Sequence, residues 1–179
     1  MASTFCNFEL GFALQCKDGI GGIRKLYLGL WSDFGPNVVL DAGNNEICTS
    51  IGTRPIYEFV LPKHTGNFEE VGTYDINNGT GYYVHTINAT FHKLSQDRSF
   101  LLQEMAKTRL LAVVEDNNGN FYVCGVVDAV EVTALTSATG TAKGDLNGYT
   151  ITLTGEEKSK APMFPDFLTS GVVIENGTI

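Results

Sequence analysis

Basic residues are scarce. Lys and Arg number 12 against 20 Asp and Glu, a formal net charge of −8. The deficit is spread along the chain: residues 1–60 and 61–120 carry −2 each, and residues 121–179 carry −4. Wrapping nucleic acid needs clustered Lys and Arg to neutralise phosphates, so that class is excluded. Charge of either sign is low as well, at 18% against 43% hydrophobic residues. That balance excludes a disordered chain. Long apolar runs are missing: nothing approaches the roughly 18 residues of a membrane span, so no membrane insertion is expected. Met1 to Cys16 has Glu9 within its apolar part and no Lys or Arg before Lys17, so it lacks the basic start of a signal peptide. The four cysteines (Cys6, Cys16, Cys48, Cys124) have no CxxC spacing and are expected to be reduced thiols of an intracellular chain.

Recognised chemistry is missing too. The histidines are His64, His85 and His92, with no HxH or HExxH pattern. His85 and His92, seven apart on one strand, point to opposite faces. His85 falls between Tyr83 and Ile87 on an apolar face and reads as a hydrogen-bonded core or interface histidine. Asp18-Gly-Ile-Gly-Gly-Ile-Arg-Lys25 has the glycines of a phosphate loop but runs into a strand, without the helix N-terminus that stabilises phosphate. No GxSxG is present. Glu69-Glu70 and Glu156-Glu157 are sequence neighbours, which a strand points apart, so neither is a carboxylate dyad. No cofactor, no metal and no enzymatic activity are expected.

What is present reads as β-structure. The 179 residues suit one domain, with or without arms. Glycine is frequent, at 20 residues, and falls between β-branched and aromatic runs, the pattern of many turns. Residues 1–22 read as an N-terminal arm or loop, 23–156 as the β domain and 157–179 as a C-terminal arm. Alternation and apolar β-type runs predict strands over 24–31, 56–61, 81–94, 121–126, 128–135 and 149–154, and an unbroken apolar run predicts one over 110–115. In the long candidate 81–94, Tyr83, Ile87, Ala89 and Phe91 share one face, and Thr86, Asn88 and Thr90 the other. Residues 63–80 are mostly polar and read as a long hairpin or an extended loop. Asn118-Gly119 predicts a tight hairpin with positive φ at both central positions. One helix is expected, over 95–109. Ser95 would cap it, Asp97 would sit in its first turn, and Lys107 and Arg109 in its last. Leu101, Leu102 and Met105 form its apolar stripe.

Four ordered stretches go further: Cys16-Lys-Asp-Gly-Ile-Gly-Gly-Ile-Arg-Lys-Leu-Tyr27, Tyr57-Glu-Phe-Val-Leu-Pro62, Val113-Val-Glu-Asp-Asn-Asn-Gly119 and Thr139-Gly-Thr-Ala-Lys-Gly-Asp-Leu-Asn-Gly-Tyr149. Thr152-Leu-Thr-Gly-Glu-Glu157 and Ala161-Pro162 follow the last. In this order, over roughly residues 14–162, they resemble bacteriophage tail tube (major tail) proteins, particularly those of phages infecting Bacteroidota. The resemblance implies a mainly β fold: a β-sandwich or small barrel of the tail-tube type with one flanking helix, terminal arms and an extended loop. It implies a structural virion protein that self-assembles into hexameric rings stacked as a tube, the conduit for DNA ejection. Its location would be the virion tail, with the host cytoplasm during assembly. Its partners would be further copies, tape-measure and terminator proteins, and a sheath where one exists; DNA would pass without specific binding. Contacts between subunits or rings would fall on Ile20, Gly21, Gly22, His64, Gly66, Phe68, Glu69, Phe164, Val172 and Ile174. A ring of six would carry a formal charge of about −48, which repels phosphates and lets DNA slide. Other readings are a related ring protein (a tail terminator, baseplate hub or secretion-tube component) and a monomeric sugar-binding β-sandwich using Trp31, Tyr82 or Tyr83.

Overall fold

The computed structural model describes residues 17–44 and 46–177. The fold is mainly β, with eleven strands and two short α-helices among the described residues. The strands are β1 (Ile23–Leu30), β2 (Val39–Leu40), β3 (Cys48–Ser50), β4 (Pro55–Val60), β5 (Gly66–Asp75), β6 (Thr80–His92), β7 (Leu110–Asp116), β8 (Phe121–Cys124), β9 (Glu131–Ala138), β10 (Gly148–Glu157) and β11 (Val173–Asn176). The helices are α1 (Trp31–Phe34) and α2 (Gln96–Met105).

Two main sheets form. The first has the order β11-β4-β1-β7-β8, antiparallel except for the parallel β11–β4 pair. The second is antiparallel, in the order β5-β6-β10-β9. They pack face to face and do not close into a barrel. Between them lies a core of Leu26, Leu28, Ala112 and Val114 from one sheet and Ile87, Ala89, Ile151 and Leu153 from the other.

The first sheet is buried on both faces, which is why β7 reads as an unbroken apolar run. On its far side Tyr27, Leu111 and Val113 meet Phe34, Ile51, Phe164 and Phe167. The ring of Phe167 sits edge-on to Tyr27 at 4.8 Å and 5.1 Å from Phe121. Full burial of a side chain the size of Phe164 or Phe167 contributes about 1.5–3 kcal/mol.

The residues read as a C-terminal arm, 157–179, meet this chain's own second core. β10 runs to Glu157, and the chain is then laced to its own domain. Val123 N–H donates to Pro162 O at 3.0 Å, Phe164 N–H to Phe121 O at 2.9 Å, and Cys48 N–H to Met163 O at 2.7 Å. These bonds cover the outer edge of β8. β11 then adds a strand beside β4. The tail is apolar because it faces this chain's own sheet.

The helix is shorter than the spacing predicts. Ser95 caps α2, its hydroxyl accepting from Arg98 N–H at 3.3 Å. Ala106 ends it, so Lys107 and Arg109 lie beyond the last turn. Arg109 instead pairs with Asp128 and lies over the Trp31 ring, 4.7 Å from its centre. Leu102 and Met105 are buried and Leu101 is packed beside them.

Candidate functional site

The outer face of the β5-β6-β10-β9 sheet is polar, and this follows from strict alternation. Residues that pair directly share a face, so the register builds rows. Asn67, Asn88, Thr152 and Ala134 make one row; Glu69, Thr86, Thr154 and Glu131 make the next. Thr90, Thr150 and Thr136 make a third. Cross-strand bonds tie the rows: Thr152 Oγ1 donates to Asn88 Oδ1 at 2.8 Å, and the Thr133 and Thr154 hydroxyls share a hydrogen bond at 2.9 Å. A register shift at Thr152/Leu153 bulges β9 at Thr133.

Charge on this sheet has one sign. Its four strands contain Glu69, Glu70, Asp75, Glu131, Glu156 and Glu157, and no Lys or Arg. Glu69, Glu131 and Glu156 fall on the outer face by register. Among the described residues, no strand pairs with the outer edge of β5 or of β9. Each edge therefore offers unpaired backbone groups.

Residues 63–80 form the hairpin of the two offered alternatives. β5 and β6 pair as far as Asp75 and Thr80, whereas β10 leaves β6 at Tyr83. The hairpin end thus projects as a two-stranded ribbon. Asp75 closes its turn by accepting from Asn77 N–H at 2.8 Å and Asn78 N–H at 3.2 Å, and these bonds hold its carboxyl below the ordinary value. Ile76 at the tip is 96% exposed. The Tyr74 and Tyr83 hydroxyls hydrogen-bond, their rings edge to face.

The ten residues expected at contacts sort into several settings. Ile20, Gly21 and Gly22 are exposed and fixed to the β7–β8 turn. Ile20 N–H donates to Asn118 Oδ1 and Asn118 Nδ2 returns a bond to Ile20 O, both 2.8 Å. Asn117 Nδ2 donates to Gly21 O at 2.7 Å. That turn is not the tight Asn-Gly form expected. Only Gly119 has positive φ (86°), and the Asp116 carboxylate organises the loop by accepting from Asn118 N–H and Asn120 N–H, both at 2.8 Å. Burial opposes ionisation of Asp116, but the bonds from Asn120 and Asn118 outweigh it and hold the carboxyl below its ordinary value.

His64 is an exposed turn residue at φ 63°, and Glu69 is exposed on the polar face. Gly66 and Phe68 face inward. A Cβ on Gly66 would sit 2.6 Å from Leu61 Cδ1 and 2.7 Å from Ile23 Cγ1. The Phe68 ring packs 5.7 Å from Tyr122. Phe164 is wholly buried and Val172 and Ile174 pack on the second core, so these three serve the chain's own interior; Val173 is the outward residue of that strand. Sequence reading missed Tyr74 and Ile76 at the ribbon, though Asn77-Asn78-Gly79 marked its turn; Tyr82, offered as an exposed aromatic, lies on the ribbon as well.

His85 is buried, as expected, but not hydrogen-bonded. Its Nε2 lies 3.2 Å from Glu70 Oε2 without the alignment of a hydrogen bond. Burial pushes its pKa down, and Glu70 offsets this only in part. Cys48 and Cys124 are free and buried, and burial pushes the Cys48 thiol up to about 11. Cys6 and Cys16 lie outside the described residues. Trp31 is spent on structure: its Nε1 donates to Gly125 O at 3.0 Å. Among the described residues no three His, Cys, Asp or Glu side chains group as metal ligands, and no helix is long and apolar enough to cross a membrane. Comparison with known proteins found no matching family model, no similar curated protein and no similar solved structure.

Proposed function

We propose that this chain is a structural ring subunit of a phage tail tube, stacking as hexameric rings around a bore through which DNA passes. The observation that carries the reading is the β5-β6-β10-β9 sheet: six carboxylates, no Lys or Arg, a Thr/Asn outer face, and two unpaired edges. In a ring, β9 of one copy would meet β5 of the next. That heterologous contact closes by rotation and removes both edges. The polar face would then line the bore. Its carboxylates would repel phosphate, and its Thr and Asn side chains would hold water in place of DNA. The ribbon with Ile76 at its tip would reach the adjacent ring, together with the N-terminal residues. No catalysis, cofactor or metal belongs to this role. Its location would be the virion tail, after assembly in the host cytoplasm.

The test is negative-stain electron microscopy of the purified chain over a concentration series. Hollow filaments or stacked six-fold rings are expected. Single rings that never stack would favour a terminator or joining protein. A monomer that stays monomeric even with tail-initiation proteins present would overturn the reading.

A further inference from the structure

The two ends of β6 differ in kind. At its C-terminal end a cleft of about 700 Å³ opens between β4, β6 and α2, walled by Phe59, Val60, Phe91, Leu101 and Leu102. The Phe59 and Phe91 rings stand 5.9 Å apart in that wall, and Val60 is 63% exposed. Lys25 and Glu58 at the rim are paired with each other at 2.9 Å. The volume is that of a site for a ligand or an inserted chain segment.

At the N-terminal end of β6 the ribbon projects. Residues 76–82 carry no charge. Asp75 beside them spends its carboxylate on the turn, accepting from Asn77 N–H, from Asn78 N–H and, at 2.6 Å, from Asn78 Nδ2. What the tip shows to water is Ile76, with Tyr74 and Tyr82 exposed behind it. The turn bonds and the Tyr74–Tyr83 hydroxyl pair hold the tip in one shape before any contact is made, which lowers the ordering cost of docking it.

We propose that the cleft receives the ribbon tip of a second copy, with Ile76 seated between β4 and α2. An uncharged tip bearing Ile and Tyr suits a desolvated apolar cleft, where an unpaired charge is what docking penalises. A copy cannot fill its own cleft. The thirteen residues of β6 hold tip and cleft about 40 Å apart, at opposite ends of one strand. The contact is therefore heterologous, a knob at one end of the chain and its socket at the other. Each copy added brings a free tip and a free cleft, so the contact propagates along β6 and does not close as a pair. The proposal rests on the reading of the ribbon as the contact between rings, and it names the surface that receives the ribbon.

Disulfide capture between differently substituted full-length chains tests it. Cys6→Ser and Cys16→Ser leave Cys48 and Cys124, both buried. On that background Ile76→Cys chains are mixed with Val60→Cys chains, or with Thr136→Cys chains as the control on the outer sheet face. Ile76 and Val60 are both exposed, so neither change disturbs a core. Under oxidation the Ile76→Cys thiol is expected to join Val60→Cys at least tenfold faster than Thr136→Cys. Equal rates overturn the proposal. Hollow filaments that form without the bond to Val60→Cys overturn it too, and leave the tube reading standing. Capture at Val60→Cys in assemblies that are not tubes supports the contact and removes the tube. A chain that stays monomeric and shows no capture overturns both. Val60→Asp and Ile76→Asp give a second readout by sedimentation. Each is expected to weaken association at least tenfold, and the two together no further than one alone; additive losses overturn the contact.

Discussion

Glu70 and His85 face each other across the β5–β6 pair, with Oε2 3.2 Å from Nε2, and the same carboxylate oxygen accepts Ala161 N–H at 2.7 Å. One carboxylate thus meets a buried imidazole and holds the start of the C-terminal lacing. Burial keeps the folded pKa of His85 below its ordinary 6.5, so as pH falls the unfolded chain takes up its proton first. The stability contributed by neutral His85 is therefore complete above pH about 6.5 and is lost below it, at up to about 1.4 kcal/mol per pH unit, until the lower folded pKa is passed. Burial raises Glu157, which has the opposite sign, so the comparison must be with a variant. Urea unfolding at pH 7 and pH 5 should give a larger loss for the wild type than for His85→Gln. Equal losses would remove His85 from the account.

Gly66→Ala probes the entry to the ribbon. The new methyl group meets Leu61 and Ile23, both buried and held in the core, so neither can swing aside. Overpacking of this kind costs about 1–3 kcal/mol. Denaturant unfolding should show a lower midpoint with an unchanged slope. A neutral result would mean that β5 starts further from β1 than described.

The sequence made half of the molecule legible. β6 and β10 alternate because one face is dry and the other wet, so Ile87 and Ala89 could be separated from Asn88 and Thr90 by period alone. β7 has two dry faces and lost that signal. Phe164 and Phe167 do not read as core because their partners, Tyr27 and Phe121, are 40 or more residues away, and nothing local marks a tail as belonging to its own sheet. The ribbon was ambiguous for the opposite reason. Both of its faces meet water beyond Tyr83, so no burial pattern was imposed on it. The acidic sheet was visible only as a diffuse net charge, because its six carboxylates are scattered over about 90 residues and gathered by the fold.

Ile76→Asp separates folding from assembly. The side chain is almost wholly exposed and makes no core contact, so stability should stay within about 0.5 kcal/mol of wild type. If the ribbon reaches the adjacent ring, filaments seen by electron microscopy should shorten or vanish while rings persist. Filaments of normal length would take the ribbon out of the stacking contact.

Deletion of residues 1–15 should leave the domain folded, since among the described residues both cores are built from positions after Gly22. Circular dichroism is expected to be preserved. Filaments are expected to be lost, leaving rings or monomers in sedimentation. Unchanged filaments would refute a stacking role for the N-terminal residues.

Thr152→Lys tests the bore directly. Thr152 sits mid-sheet, between Asn88 and Ala134 in the row, where a long side chain points off the polar face without entering either core. The substitution is made together with Glu69→Gln, Glu131→Gln and Glu156→Gln, so that the outer face of the four-stranded region goes from three negative charges to one positive charge per copy. If this face lines the bore, the charges gather around one axis, and attraction to phosphate grows with every ring stacked. Wild-type filaments should release linear double-stranded DNA at all salt concentrations. Thr152→Lys filaments should retain it at low salt and release it as salt rises, with a steep slope in a plot of log affinity against log salt. The control is Lys143→Glu in the β9–β10 loop, off the sheet, which should change neither behaviour. If Thr152→Lys filaments form normally and hold no DNA even at low ionic strength, the polar face is not the wall that DNA passes, and another surface must line the tube.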